Sequence, residues 1–235
     1  DSSTSRGLGD VYKRQPEKAM AKITIDFVSD VACPWCAVGL GGLLEAMRRL
    51  EGTAEVALHF RPFELNPDMP AGGQNTIERL MAKYGYDRER VQANRKVISE
   101  RAAAVGMPMR MGDDNRSFNT FDAHRLIHWA GLQGQAQQIA LKKSLLQTYH
   151  YLNHDTSDAD VLAQAARDAG LDEAASREVL ASGRYADEVR AEEEEWRKLG
   201  ITSVPSVIIN GQYLVSGGQP PEAFEQALRQ VAQEG

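Results

Sequence analysis

The sequence predicts an α/β protein in which two short β-containing units enclose a long all-helical insertion. Three observations carry this. β-forming residues alternate at both ends of the chain. A helical period of apolar residues runs almost unbroken from Thr76 to about Leu199, and the two cysteines of the 235 residues fall in one four-residue stretch. With 42% hydrophobic and 26% charged residues, the chain can bury roughly 70% of its unfolded surface without a disulfide or metal staple. No run approaches ~18 apolar residues, which excludes a helical membrane span. The net charge of −6 lacks the basic excess of a nucleic-acid surface. Neither nucleic acid nor a membrane is an expected partner.

Residues 1–19 have no apolar period, no hydrophobic h-region and no A-x-A cleavage site. They read as a non-native or disordered leader ahead of Met20, and the expected location is the cytoplasm, where thiols stay reduced. Ile23 to Val28 alternate as a strand does. Leu40, Leu43, Leu44, Met47 and Leu50 then recur at helical spacing over Ala37 to Leu50. Glu55 to Phe63 reads as a second strand, stopped by Pro62, Pro67 and Pro70.

In the middle, breaks at Gly85, Gly106-Met107-Pro108, Gly131, Asn153 to Asp158, Gly170 and Gly183 separate successive helices. Asp158 and Asp172 stand where N-caps are needed. The run Glu192 to Glu195 reads as a solvated helix face. Ser206 to Ile209 and Gln212 to Val215 are strands joined by Asn210-Gly211, the strongest short hairpin signal. Glu222 to Ala232 closes the chain as a helix entered through Pro220-Pro221.

Chemistry concentrates at Cys33-Pro34-Trp35-Cys36, placed directly after a strand and at the opening of a helix. That context turns a C-x-x-C into a redox motif. Positions three apart share a helix face at ~5–6 Å, which suits a disulfide. Cys33 lies where unpaired N–H groups and the macrodipole favour an anion, so it is the expected nucleophile and leaving group. Cys36, one turn in, is the shielded partner. Pro34 fits the first helical turn because its missing N–H would go unpaired there. A zinc half-site completed by His150 and His154 competes, but the gap of over a hundred residues argues against a compact finger, so no metal is expected. Two inert buried thiols are the other bland reading. Pro205, directly before the apolar strand at 206–209, is by itself an ordinary turn residue.

Together, the strand–CPWC–helix unit and the Val204-Pro205 loop match the thioredoxin-fold pattern. The phrases IDFVSDVACPWC, RPFELNPDMP, NTFDAHRL and GITSVPSVIINGQYLVSGGQP resemble the FrnE-like branch of the DsbA family. The likeness runs from about Ile23 to Gln230. That family is related to kappa-class glutathione transferases and 2-hydroxychromene-2-carboxylate isomerases, which carry serine where this chain has Cys33. The resemblance implies Cys33 as nucleophile, Cys36 as resolving thiol and Pro205 as a cis-proline. It implies a client strand paired to the Val204 backbone by β-augmentation, beside Pro34 and Trp35. DsbA itself has CPHC; Trp35 replaces that imidazole with an uncharged indole, so this chain is expected to be less oxidising.

The resemblance also implies a buried acid near the dithiol. Asp26 and Asp30 are rivals for it, with helix capping the expected role for Asp30. Ser216-Gly217-Gly218-Gln219 is either a glutathione-binding turn or an ordinary Gly-rich one.

The fold class is thus a thioredoxin fold with a helical insertion: 20–73 and 200–235 form the thioredoxin-like domain and 74–199 the insertion. The expected function is thiol–disulfide oxidoreduction on protein, peptide or small-thiol substrates. No cofactor is expected beyond the redox-active disulfide itself, and glutathione is a candidate co-substrate. A glutathione-dependent isomerase or transferase of a small aromatic substrate is the alternative, and a redox-sensing or holdase-like binding protein the third reading.

Overall fold

β1 (Ala21–Ser29) runs through the middle of the sheet, and the rest of the protein is arranged on its two faces. The computed structural model describes residues 20–234, so the leader expected at 1–19 lies outside the described residues. α1 (Pro34–Arg49) connects β1 to β2 (Ala54–Pro62), which pairs parallel to it with Ile25 opposite Leu58 and Phe27 opposite Phe60.

The helical stretch opens with a two-residue strand, β3 (Gln74–Asn75), followed by α2 (Thr76–Tyr84) and α3 (Arg88–Ala104). A second short strand, β4 (Arg116–Ser117), pairs antiparallel with β3. This small ladder carries too little alternation to be read from sequence. Then come α4 (Phe121–Gly131), α5 (Gln135–Gln147) with a π-turn at Thr148–Leu152, α6 (Ala159–Asp168), α7 (Glu173–Ser182) and α8 (Ala186–Lys198). Asn75, Asp87, Asp158 and Asp172 cap α2, α3, α6 and α7 with side-chain oxygens.

The chain returns to the sheet through β5 (Ser206–Ile209) and β6 (Tyr213–Ser216), and ends in α9 (Pro221–Glu234). The sheet order is β2-β1-β5-β6, with β5 antiparallel to β1 and β6 antiparallel to β5. Asn210 and Gly211 both have positive φ, 51° and 65°, and Gln212 N–H donates to Ile209 O at 3.0 Å, closing the tight turn between the strands.

The apolar face of β1, through Ile23, Ile25 and Phe27, meets Leu40 and Leu43 of α1 and Phe224 and Leu228 of α9. The same continuous core takes in Leu126 and Ile127 of α4 and Leu141 and Leu145 of α5. The inserted helices therefore share their core with the sheet. On the other face, Val28 packs with Phe63 and Ile201.

Glycines in α1 would cost about 1 kcal/mol each against alanine if nothing required them. Close backbones do. A Cβ on Gly41 would lie 2.7 Å from the Val105 carbonyl oxygen, and one on Gly42 2.7 Å from that of Gln219.

The acidic run on α8 keeps its expected solvated face at Glu194 and Glu195 and departs from it at Glu192 and Glu193. Glu193 is buried, and Glu192 is half-buried between His128 and Arg61. The glutamates pack because Arg190, Arg61 and His128 lie close enough to pair with them, which a run of like charge does not reveal.

Candidate active site

Cys33 is the N-cap residue of α1, with Pro34 in the first turn and no side-chain cap hydrogen bond. The local chain is shaped by its backbone: Cys33 N–H donates to Asp30 O at 3.2 Å and Cys36 N–H to Cys33 O at 3.1 Å. No acidic residue occupies the first helical turn. Positive dipole charge and unpaired N–H groups are therefore left facing the first cysteine.

Cys33 and Cys36 approach to 3.3 Å. Cys33 keeps 5% of its surface exposed and lines an open groove, whereas Cys36 is fully buried. Burial pushes the Cys36 thiol well above the ordinary thiol range, and its hydrogen bond to Cys33 and the charge of Cys33 push the same way. The ammonium of Lys142 and the backbone N–H of Asp30 oppose that rise.

Pro205 faces the dithiol. The Val204–Pro205 peptide is cis, and the Cys33 thiol donates to Val204 O at 3.6 Å. Gly217 N–H donates to Pro205 O at 2.9 Å, tying the turn at 216–219 to this loop. Trp35 lies over that turn, and a Cβ on Gly218 would fall 2.9 Å from its ring. Cys33, Pro34, Trp35 and Val204 thus line one groove of about 700 Å³.

The two rival acids separate clearly. Asp26 points to the opposite side of the sheet, where Arg61 donates to it at 2.7 Å. Asp30 is fully buried beneath the CPWC turn. Its expected role as helix cap is not what the structure shows, since the N-cap is Cys33 and no side chain caps α1. Instead Asp30 Oδ1 accepts from Thr120 Oγ1 at 2.7 Å, His124 Nε2 at 3.1 Å and Ala32 N–H at 3.3 Å. Its Oδ2 accepts from Leu65 N–H at 2.7 Å. The reason is depth: a carboxylate buried this far must find several donors, and α4 supplies two.

Lys142 of α5 is also buried, with 1% of its surface exposed. Burial pulls its ammonium below the usual lysine range, against the charges of Cys36, Asp30 and Cys33. His150 is held neutral, pushed down to about 4 by burial, while its Nε2–H donates to Val31 O at 2.7 Å. Among the described residues, no group of three or more His, Cys, Asp or Glu side chains could hold a metal ion.

Sequence reading singled out none of Thr120, His124 and Lys142. A lysine next to Leu141, in a helix that turns Leu141 and Leu145 inward, was the available signal.

A β-α-β unit with a vicinal dithiol at its helix start, facing an X-cis-Pro loop, defines a thioredoxin-fold protein. The chain belongs to the DsbA-like thioredoxin domain family, whose model matches residues 24–229. A probable DsbA oxidoreductase from Streptomyces coelicolor is 38% identical over 91% of both chains, with a TM-score of 0.80. An uncharacterised Bacillus subtilis protein, YwbO, is 24% identical, covering 88% of this chain and 96% of its own length. The cytosolic disulfide reductase DsbM of Pseudomonas aeruginosa, in a structure with GSH, shares the fold at a TM-score of 0.60. It is 14% identical, over 89% of this chain and 99% of its own. Among the described residues no helix is long and apolar enough to cross a membrane.

Proposed function

We propose that this protein is a thiol–disulfide oxidoreductase of the FrnE-like branch, with Cys33 as the exchanging sulfur and Cys36 as the resolving one. The observation that carries the reading is the asymmetry of the pair. Cys33 opens on a groove at a helix N-terminus, while Cys36 is sealed beneath it with its thiol form favoured.

In the reducing direction the Cys33 thiolate attacks a client disulfide. A Cys33–client disulfide forms, and the departing client sulfur leaves as a thiolate and takes a proton. Cys36 then gives up its proton and attacks the Cys33 sulfur, releasing the second client thiolate. Two electrons have passed to the client, and the enzyme holds the Cys33–Cys36 disulfide. The reverse sequence oxidises a client dithiol.

Lys142 and Asp30 sit where that second proton must be handled. The ammonium stabilises the Cys36 thiolate as it forms, and Asp30 fixes the turn that holds it. Pro205 shapes the loop opposite Cys33, and the Val204 backbone offers a client strand its pairing groups, flanked by Pro34 and Trp35. Glutathione fits as the small-thiol partner of a cytoplasmic cycle, as the DsbM likeness suggests.

Mass spectrometry after mixing with oxidised glutathione tests the assignment. Cys36→Ser should retain a glutathione adduct on Cys33, and Cys33→Ser should not react. Equal adducts on both variants would overturn the roles. No exchange by the unmodified protein, with Cys33 still open to alkylation, would overturn the function.

A further inference from the structure

We propose that the groove beside Cys33 selects small disulfides that carry an anionic group on an apolar body, an inference that rests on the redox reading above. The groove, of about 700 Å³, falls within the size range of sites for drug-sized ligands. Among the described residues its lining includes Arg79, Lys83, Arg95 and Arg116 and no aspartate or glutamate, on a chain whose net charge is −6. A cluster of cations in the concave surface of an acidic protein focuses a positive potential at one place.

The guanidinium partners are neutral. Arg79 donates to Ser117 Oγ at 3.2 Å and Asn66 Oδ1 at 3.1 Å. Arg116 donates to Gly72 O at 2.8 Å and Gly73 O at 2.7 Å, and Arg95 to Gly112 O at 3.1 Å. Asp113, whose field reaches Arg95, lies outside the lining and is engaged by Gln92 and Arg88. These bonds fix the arginines in place, pair none of them with a described carboxylate at ion-pair distance, and use only part of the five N–H donors each carries. A carboxylate or a similar anion is the chemistry they would accept.

The opposite character lies alongside. Val91, Ile98 and Met111 line the groove, and Tyr84 and Val97 at its rim are 53% and 48% exposed. Large apolar side chains left in water beside a cationic cluster match a ligand with an apolar body and an anionic head. Its sulfur would reach Cys33 at the groove's end. Attack there forms the Cys33–ligand disulfide and releases the other half as a thiolate; Cys36 then frees the bound half, and the dithiol supplies both electrons.

Paired probes test this: bis(carboxynitrophenyl) disulfide, which is dianionic, and its uncharged dimethyl ester. Stopped-flow rates for the reduced protein are divided by those of an uncharged reference monothiol, which removes intrinsic reactivity. The dianion should be favoured over the ester by about tenfold at low salt, and the preference should shrink as ionic strength rises. Lys83→Glu, at an exposed position, should cut the preference, and Lys83→Gln with Arg116→Gln should bring it to within about threefold. Equal normalised rates in the unmodified protein, or a preference that survives in both variants, would overturn the anion proposal and leave the oxidoreductase reading standing. Failure of both probes to react, with Cys33 accessible to alkylation, would overturn both.

Discussion

Asp30→Asn is the substitution that most directly probes the floor of the dithiol. It preserves shape while removing the charge. The three bonds at Oδ1, from Thr120, His124 and Ala32, become neutral-acceptor bonds. The new amide N–H groups face the Leu65 N–H that Oδ2 accepted. Bonds to a charged acceptor are worth ~1.5–3 kcal/mol and neutral ones ~0.5–1.5, so each of three loses about 1 kcal/mol. A buried donor left unpaired adds ~1–3 kcal/mol. Against this, the variant no longer buries an ion, a cost of several kcal/mol that it recovers in part. The net loss should be about 2–4 kcal/mol.

Urea unfolding of the reduced protein near neutral pH measures that loss as a lowered midpoint at unchanged slope. Acid supplies a second reading. Burial pushes the Asp30 carboxyl up, but the hydrogen bond and charge of His124, with Leu65 N–H and Thr120, outweigh it and hold the group below the ordinary carboxylate range. A depressed carboxyl stabilises the fold above its unfolded pKa of about 4, and that stability is lost as pH falls through the folded value. The deficit of the variant should therefore shrink on acidification below about pH 4. A deficit under about 1 kcal/mol, or one that persists unchanged in acid, would refute the account of Asp30 as the hub.

Three further outcomes follow from the same geometry. Lys142→Met should slow release of a Cys33 mixed disulfide by about tenfold, read by quenched-flow trapping, because the cation opposing the rise of the Cys36 thiol is gone. Glu193, pushed up to about 7 by burial and by Glu64, binds its proton more tightly folded than unfolded. Its contribution is complete below about pH 4 and lost as pH rises through about 7, so Glu193→Gln should flatten a decline of roughly 2–3 kcal/mol between about pH 5 and 8, seen by urea midpoints. Trp35→His brings an imidazole beside Cys33 and should raise the reduction potential by some tens of millivolts, on the order of the 30 mV that 1.4 kcal/mol represents, in glutathione redox buffers.

The periodic parts of the fold were legible because each obeys one local rule. Alternation in 23–28, the CPWC turn, the Asn210-Gly211 hairpin and the aspartate caps need only neighbours in sequence. What escaped depends on distant partners. β3 and β4 are two residues each and exist through their mutual pairing. Glu192 and Glu193 look solvated until Arg61, His128 and Arg190 are brought to them from other turns and elements. Asp30 looks like a helix cap because it stands three residues before Cys33. Its side-chain donors come from ninety and more residues away.

That distance bears on what the inserted helices are for. Thr120 and His124 of the α4 start and Lys142 of α5 converge on the buried side of the CPWC turn, opposite the groove. A sheet-and-α1 unit alone would leave the Asp30 carboxylate with only the backbone donors of Ala32 and Leu65, and Cys36 without the cation that opposes its protonation. An unpaired buried ion costs several kcal/mol, a large share of the 5–15 kcal/mol that holds a typical domain folded. The insertion therefore forms the floor of the redox site as well as a wall of its groove. Helices that contribute in both places fix the chemistry of Cys36 and the surface offered to substrate through one continuous core.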